Sequence, residues 1–144
     1  MGALRTNPIN RVFTCFYEDF TVKAGTAISV TRNAAANFGR YGRQSTAAIN
    51  NETFCTFSLT PGNYTFTSLY GATTSGGIAT VKINEATVTT IDTYASATNL
   101  GASQTFTYTV TNNRPHTLSI AMASKNGAST GYDFYLTRIS AKLT

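Results

Sequence analysis

The chain reads Gln-Thr-Phe-Thr-Tyr-Thr-Val over residues 104–110, with a large apolar side chain at every second position after Thr105. Successive side chains of an extended strand point to opposite faces of a sheet. The stretch therefore predicts a strand with Phe106, Tyr108 and Val110 on one face and threonines on the other. One apolar face and one hydroxyl face are typical of an antiparallel sheet that covers a core on one side and meets water on the other.

Similar alternation recurs along most of the chain, and turn signals rich in glycine, proline and asparagine separate the alternating stretches. Examples of such turns are Pro61-Gly62-Asn63 and Lys125-Asn126-Gly127. About nine short strands at this spacing predict an all-β fold, an antiparallel two-sheet β-sandwich. The predicted strands are Arg11–Tyr17, Ala27–Thr31, Thr53–Leu59, Asn63–Tyr70, Ile78–Asn84, Thr87–Asp92, Gln104–Val110, Thr117–Ala123 and Asp133–Ala141.

The composition excludes several classes of protein. The chain has 144 residues, a length that suits one domain, and only 12% of them are charged, while 27 Thr, 11 Ser and 12 Asn supply polar surface. No apolar run of about 18 residues is present, so no membrane span is predicted. The 9 Phe and 8 Tyr residues argue against disorder. We expect residues 1–10 to form an N-terminal arm and residues 11–144 a single β-sandwich domain.

The charges and cysteines bear on partners and compartment. The formal net charge is +5, from 11 basic and 6 acidic residues that are spread evenly along the chain. Because no basic stripe stands out, no nucleic-acid partner is predicted. The N-terminal residues lack the apolar run of a signal peptide, so we expect synthesis in a cytoplasm without export. Cys15 and Cys55 lie in predicted strands, where we expect a buried reduced pair. A disulfide between them is the alternative if those strands face each other.

The sequence contains one motif that resembles a catalytic signature. Gly127-Ala128-Ser129-Thr130-Gly131 matches the G-x-S-x-G pattern, but that motif requires a strand-to-helix turn and a histidine downstream. The single His116 precedes it, and a structural role is expected for this histidine. The acidic residues are scattered, so the sequence offers no carboxylate pair for glycoside hydrolysis. We predict that the chain is not an enzyme and has no resident cofactor.

Residues 61–141 carry a series of motifs in an order that resembles a known family. The motifs are Pro61–Phe66 (PGNYTF), Gly77–Asn84 (GIATVKIN), Ile91–Ser96 (IDTYAS), Pro115–Ile120 (PHTLSI) and Lys125–Ser129 (KNGAS). The order resembles the galactose-binding-like jelly-roll modules of the carbohydrate-binding-module type. Such modules occur beside glycan-acting enzymes and in bacteriophage tail, fibre and head-decoration proteins. The opening motif is also similar to trimeric complement-type and tumour-necrosis-factor-like jelly rolls.

The resemblance implies a jelly-roll fold, and with it our first hypothesis is a bacteriophage virion structural protein. This would be a capsid decoration (cement) protein or a small tail or fibre component, made in the host cytoplasm and located in the virion. Its partners would be the major capsid or tail proteins and further copies of itself, a homotrimer being favoured. The expected inter-subunit contacts are Arg32, Phe38, Arg40, Tyr41 and Arg43.

The alternative hypothesis is a carbohydrate-binding module that recognises a cell-surface glycan. Aromatic rings stack on sugars, and amides beside them fix the orientation of the ligand. The sequence offers tyrosines for this purpose and no tryptophan. The expected glycan-binding residues are Tyr70, Tyr94, Tyr132 and Asn126.

A calcium ion is the one cofactor that the resemblance adds, since related modules often bind one. Hard cations take oxygen ligands, and Glu18, Asp19 and nearby carbonyl groups would supply them.

Overall fold

The computed structural model describes residues 12–25, 28–44, 49 and 51–144, and these form two antiparallel sheets packed face to face. The predicted all-β, two-sheet sandwich is therefore confirmed. Two short 3₁₀ helices, Tyr17–Asp19 and Asn37–Gly39, accompany the strands. The strands are β1 (Val12–Phe16), β2 (Thr21–Ala24), β3 (Ser29–Arg32), β4 (Arg40–Gln44), β5 (Glu52–Phe57), β6 (Gly62–Ala72), β7 (Gly77–Ile83), β8 (Ala86–Asp92), β9 (Asn99–Val110), β10 (His116–Lys125) and β11 (Phe134–Leu143).

The first sheet has the strand order β3-β4-β11-β6-β9, and the second has the order β2-β5-β10-β7-β8. In the first sheet β11 pairs with β6 along one edge. Along its other edge β11 pairs with β4 through its first residues and with β1 through its last residues. Because consecutive strands often belong to different sheets, the loops at the two ends of the sandwich connect the sheets.

The core lies between the sheets and contains the apolar side of each alternating stretch. On β6 and β9 the buried residues include Phe66 and Phe106, whose rings stack with centroids 5.0 Å apart. Phe57 of the second sheet meets Phe66 edge-on at 5.8 Å. The threonines between these positions face outward, as the alternation predicts. Burial of these alternating faces is the main source of the apolar surface removed from water on folding.

Two of the strands, β2 and β4, were not predicted. Strand β2 is an edge strand whose residues are mostly exposed, so it carries no apolar alternation. Strand β4 contains two arginines and Gly42, which read as a loop in the sequence. A Cβ at Gly42 would lie 2.5 Å from the ring of Tyr17, so a glycine is required for that ring to pack on the strand. Before β4 the chain forms the 3₁₀ helix Asn37–Gly39.

The two cysteines come from different sheets and both enter the core. Cys15 on β1 is 0% exposed and Cys55 on β5 is 1% exposed, and both are free thiols. A hydrogen bond with the Cys55 thiol and burial both raise the pKa of Cys15. Their burial agrees with the expected buried pair, and the reduced state stays a prediction. The predicted N-terminal arm, residues 1–10, lies outside the described residues.

A polar cluster covers part of the outer face of the second sheet. Lys23 Nζ lies 3.2 Å from Glu52 Oε1 and 2.9 Å from Glu85 Oε1, and Lys82 Nζ lies 3.8 Å from Glu52. Burial by itself would raise the pKa of Glu52, but hydrogen bonds from Ser119 and Lys23 and the charge of Lys82 lower that pKa overall. The cluster thus couples stability to pH through Glu52.

Thiol accessibility tests the packing of the two cysteines. We expect Ellman's reagent to leave both thiols unmodified in the native protein, because both are buried and the raised pKa of Cys15 disfavours its reactive thiolate. Unfolding in guanidinium should release both thiols to the reagent. Rapid reaction of either thiol without denaturant would contradict the described packing.

Acid unfolding tests the Glu52 cluster. The pKa of Glu52 is lower in the folded chain than its ordinary value of 4.5, so its charge stabilises the fold above that pH, and the contribution is lost as the pH falls through the folded pKa. We expect Glu52→Gln to reduce the loss of unfolding free energy on acidification, by up to about 1 kcal/mol. Urea unfolding followed across the acid range measures this. The matched control Glu85→Gln, which removes a more exposed carboxylate from the same lysine, should retain the acid response of the wild type.

Candidate functional site

The predicted glycan-binding residues lie at one end of the sandwich. Tyr70 is near the end of β6, Tyr94 follows β8, Asn126 follows β10 and Tyr132 precedes β11. Because neighbouring strands are antiparallel, the ends of β6, β8 and β10 lie at the same end of the sandwich as the start of β11. We call the exposed and partly exposed part of this region the loop-end surface, which consists of Asp92, Tyr94, Lys125, Asn126 and Tyr132.

A buried threonine joins the strands beneath this surface. Thr93 is 0% exposed, and its hydroxyl donates to the carbonyl oxygens of Gly77 at 2.8 Å and Asp133 at 3.2 Å. The backbone N–H of Gly77 donates to the Asp133 carbonyl at 2.9 Å. A Cβ at Gly76 would overlap the carbonyl group of Thr93, so this close approach requires glycine. These contacts join β7 and β8 of the second sheet to β11 of the first. We call them the Thr93 junction.

The Asp133 carboxylate stabilises the same region from the first sheet. It is 4% exposed and accepts hydrogen bonds from Arg43 Nη2 at 2.7 Å, Ser75 Oγ at 2.9 Å and the Tyr135 hydroxyl at 3.0 Å. The hydrogen bond with Asp133 raises the pKa of Arg43. Buried carboxylates with several donors are structural groups whose charge is compensated in place. Sequence reasoning missed this role, because nothing local to Asp133 indicates that Arg43 reaches it.

Asp92 organises the loop-end surface, and sequence reasoning missed it as well. Its Oδ1 accepts the backbone N–H of Tyr94 at 2.9 Å, an Asx turn that fixes the chain just after β8. Its Oδ2 accepts a hydrogen bond from Asn126 Nδ2 at 3.1 Å. Asn126 Oδ1 in turn accepts the N–H of Ala128 at 3.0 Å. A carboxylate and an amide that come from different loops therefore lie side by side in fixed orientations.

The tyrosines near this pair differ in exposure. Tyr94 and Tyr132 are partly exposed, and Lys125 Nζ lies 5.1 Å from the ring centroid of Tyr132 in a cation–π contact. Tyr70 is 8% exposed and packs in the core. Burial and the charge of Asp92 raise its pKa. Since its ring has no free face for a sugar, we leave Tyr70 out of the binding surface.

The residues considered for catalysis have structural roles. Ser129 is 5% exposed, and its hydroxyl donates to the Gly131 carbonyl at 3.0 Å. His116 is 3% exposed, stacks on Phe57 at 5.3 Å and lies 2.8 Å from the Asn84 amide nitrogen. The two residues lie at opposite ends of β10, roughly 30 Å apart for an extended strand of that length. They cannot act together as nucleophile and base.

The residues considered as calcium ligands make hydrogen bonds or ion pairs within the chain, and a calcium site stays a prediction. Glu18 Oε1 accepts the Tyr17 hydroxyl at 2.9 Å and pairs with Arg40 at 3.3 Å. Asp19 Oδ2 accepts the N–H of Phe16 at 3.0 Å. Within the described ranges, no three His, Cys, Asp or Glu side chains converge as a metal site. Among the same residues, no helix is both long and apolar enough to span a membrane.

The residues predicted as inter-subunit contacts lie along the first sheet and mostly contact their own chain. Arg40 and Arg43 pair with Glu18 and Asp133, and the Tyr41 ring meets Tyr135 edge-on at 5.3 Å. Arg32 makes no ion pair among the part of the chain that the structure describes. Phe38 is 61% exposed.

No family model matches the chain, and no curated protein matches it significantly. Solved structures do match. A xanthan lyase from Paenibacillus has a TM-score of 0.79 and 21% identity over 91% of this chain, although the chain spans only 13% of that enzyme. A family 35 carbohydrate-binding module from Clostridium thermocellum has a TM-score of 0.65 and 12% identity over 92% of this chain and 98% of that module. The CBM36-1 domain of a multidomain xylanase from the hindgut metagenome of Trinervitermes trinervoides has a TM-score of 0.58 and 16% identity over 92% of this chain and 98% of that domain.

This chain has the jelly-roll β-sandwich fold of the carbohydrate-binding modules. The solved structures that it matches along 92–98% of their own length are named as carbohydrate-binding modules, which agrees with the prediction that the chain is not an enzyme. The resemblance drawn from residues 61–141 is thereby confirmed for the module type.

The bacteriophage hypothesis is wrong, because the strong structural matches are to carbohydrate-binding modules. Capsid and tail partners and a trimeric assembly were inferred with it and find no support in those structures. The virion location stays a prediction. The error has a physical origin: a weakly charged, hydroxyl-rich sandwich suits attachment to a particle and attachment to a glycan equally well. The alternative hypothesis agrees better with the findings.

A glycine substitution tests the junction beneath the loop-end surface. In Gly76→Ala the new methyl group would overlap the Thr93 carbonyl, so the backbone must shift. We expect a loss of about 1–3 kcal/mol in the free energy of unfolding, measured by urea denaturation. Gly127→Ala is the matched control, since a Cβ there meets open space, and it should change stability by less than about 0.5 kcal/mol. Equal stability of both variants would rule out the described junction.

Proposed function

We propose that this chain is a non-catalytic carbohydrate-binding module whose loop-end surface holds the glycan. One observation carries the proposal: Asp92 and Asn126 form a hydrogen-bonded pair with a partly exposed tyrosine beside each. Tyr94 is fixed next to Asp92 by the Asx turn, and Tyr132 lies under Lys125, the neighbour of Asn126. The likeness to solved carbohydrate-binding modules supports the same reading.

The chemistry of these side chains suits a sugar. A pyranose ring has C–H groups that pack on an aromatic face and hydroxyl groups that both donate and accept hydrogen bonds. Asp92 accepts only, whereas the Asn126 amide both donates and accepts, so together they complement neighbouring hydroxyl groups. Tyr94 and Tyr132 supply the apolar contact.

Hydrogen bonds beneath the loop-end surface hold its side chains in place before a ligand binds. Asp92 and Asn126 are already held by hydrogen bonds to backbone groups of the loops. Thr93 fixes the chain after β8 to Asp133, and Ser129 and Thr130 fix the Asn126 loop to the Thr74 carbonyl. A preformed site loses less conformational entropy when a ligand binds. The charges of Asp92 and Lys125 cancel across the surface, so we infer that it takes neutral, hydroxyl-rich sugars.

Affinity electrophoresis against soluble xylan, mannan, galactan, glucan and xanthan tests the proposal. We expect at least one polysaccharide to retard the wild-type chain, and Tyr94→Ala and Asn126→Ala to weaken that binding by about tenfold or more, the loss typical of a central contact residue. Asn113→Ala is the matched control, because it removes an exposed asparagine from the opposite end of the sandwich. Its retardation should equal that of the wild type.

Two results would overturn the proposal: retardation by none of the polymers, or retardation that both loop-end variants retain in full. Thermal unfolding of each variant shows that any loss of binding comes from the surface and not from unfolding. Isothermal titration with the positive polymer then gives the affinity of each variant.

A further inference from the structure

The charges of the described residues divide unequally between the two sheets. Elements of the second sheet and the β7–β8 turn carry three basic and three acidic residues. The first sheet, the 3₁₀ helix that packs on it and the residue just before β11 carry five basic and three acidic residues, a surplus of two positive charges. The former set is Lys23, Lys82, Lys125, Glu52, Glu85 and Asp92. The latter set is Arg32, Arg40, Arg43, Arg138, Lys142, Glu18, Asp19 and Asp133.

An exposed aromatic ring lies within the positive side. Phe38 is 61% exposed, and its φ of 58° places it in the left-handed region, which is uncommon for a bulky side chain. The Arg138 guanidinium lies 4.8 Å from the centroid of its ring, and the Phe16 ring meets it edge-on at 5.9 Å. The backbone therefore adopts an unfavourable conformation that presents a supported ring to solvent. Strain of this kind concentrates at functional sites.

The arginines around this ring have unused hydrogen-bonding capacity. Arg138 Nε is buried without a hydrogen-bond partner among the described residues, and neither Arg138 nor Arg32 makes an ion pair with any carboxylate described. Arg32 is paired with Arg40 in the register of β3 and β4, which brings two guanidinium groups onto neighbouring strands. Arg40 Nη2 forms an ion pair with Glu18 Oε1 at 3.3 Å. Two positive groups thus remain for a ligand.

We propose that this region is a second binding site, specific for the carboxylate groups of an acidic polysaccharide. We call it the arginine–phenylalanine patch, and it consists of Phe16, Arg32, Phe38, Arg40 and Arg138. The free face of Phe38 packs on a sugar ring. A planar guanidinium binds a carboxylate through two parallel hydrogen bonds, so Arg138 or Arg32 takes the uronic acid group.

The patch is separate from the loop-end surface. Arg138 lies six residues beyond Tyr132 along β11, roughly 20 Å for an extended chain. The residues proposed for neutral sugars contribute nothing to it. Failure of one site in a binding experiment therefore leaves the other site testable.

Two other occupants suit the patch less well. A nucleic acid requires a track of several cations along its phosphates, whereas Glu18 and Asp19 border this patch. A second copy of the chain, related by a twofold axis, would place Arg32 and Arg138 of both copies against each other, and like charges disfavour such an interface. A uronic acid residue of a polysaccharide needs only one guanidinium group and an aromatic face, and the patch supplies both.

The test uses polygalacturonate and the same polymer with its carboxyl groups reduced to alcohols, in affinity electrophoresis at low salt. We expect polygalacturonate to retard the wild type and raised salt to weaken this binding. Arg138→Gln and Phe38→Asn should each weaken it by about tenfold or more, since a charge-assisted contact is lost or the stacking ring removed. Asparagine tolerates the left-handed backbone, so Phe38→Asn keeps the loop conformation.

Arg114→Gln is the matched control, because it removes the same charge from an exposed turn at the other end of the sandwich, and its binding should stay within about twofold of the wild type. Tyr94→Ala should bind polygalacturonate normally, and any binding of the reduced polymer should depend on Tyr94 and not on Arg138.

Several results would overturn the second site. One is no retardation by polygalacturonate, and another is retardation that Tyr94→Ala abolishes and Arg138→Gln retains, which would place all binding at the loop-end surface. Equal retardation by single-stranded oligothymidylate would assign the patch to nucleic acid. A dimer in light scattering that Phe38→Asn dissociates would assign it to a second copy of the chain.

Discussion

The hydrogen bonds from Thr93 to the carbonyl oxygens of Gly77 and Asp133 join the two sheets at the end that carries the loop-end surface. A sandwich core is held by apolar burial, which is strong but sets no direction for the loops above it. Buried hydrogen bonds are directional and costly to leave unmade, so they fix those loops. The position of Asp92, the residue before Thr93, therefore depends on a buried side chain that is 0% exposed.

The two proposed surfaces use the same fold in different ways. The loop-end surface lies where several loops meet, so its groups come from distant parts of the chain and converge on a small area. The arginine–phenylalanine patch lies along β11 and its neighbours, where side chains of paired strands form a flatter surface. A polysaccharide repeats its groups along its length, so two separate weak sites on one domain would add to each other's effect.

The fold of this chain does not by itself determine its function. Low charge, hydroxyl-rich strands and a jelly-roll motif order are compatible with attachment to a protein shell and with attachment to a sugar, which explains why the virion hypothesis arose. What distinguishes the two is the chemistry of particular side chains at particular positions. In the proposed function the pairing of Asp92 with Asn126 is such a feature, and it links residues that are 34 positions apart in the sequence.

The sequence by itself determined the strands in which apolar and polar residues alternate. In stretches such as residues 104–110 every second side chain is apolar, and this local pattern predicts a strand with one buried face. It also named Tyr94, Asn126 and Tyr132, since turn chemistry and aromatic character are local properties. Only the tertiary structure decided that β2 and β4 are strands, because their pairing partners and not their own patterns hold them extended. It also decided that Tyr70 is buried and that Asp92 meets Asn126, because burial and contact between distant segments arise from packing.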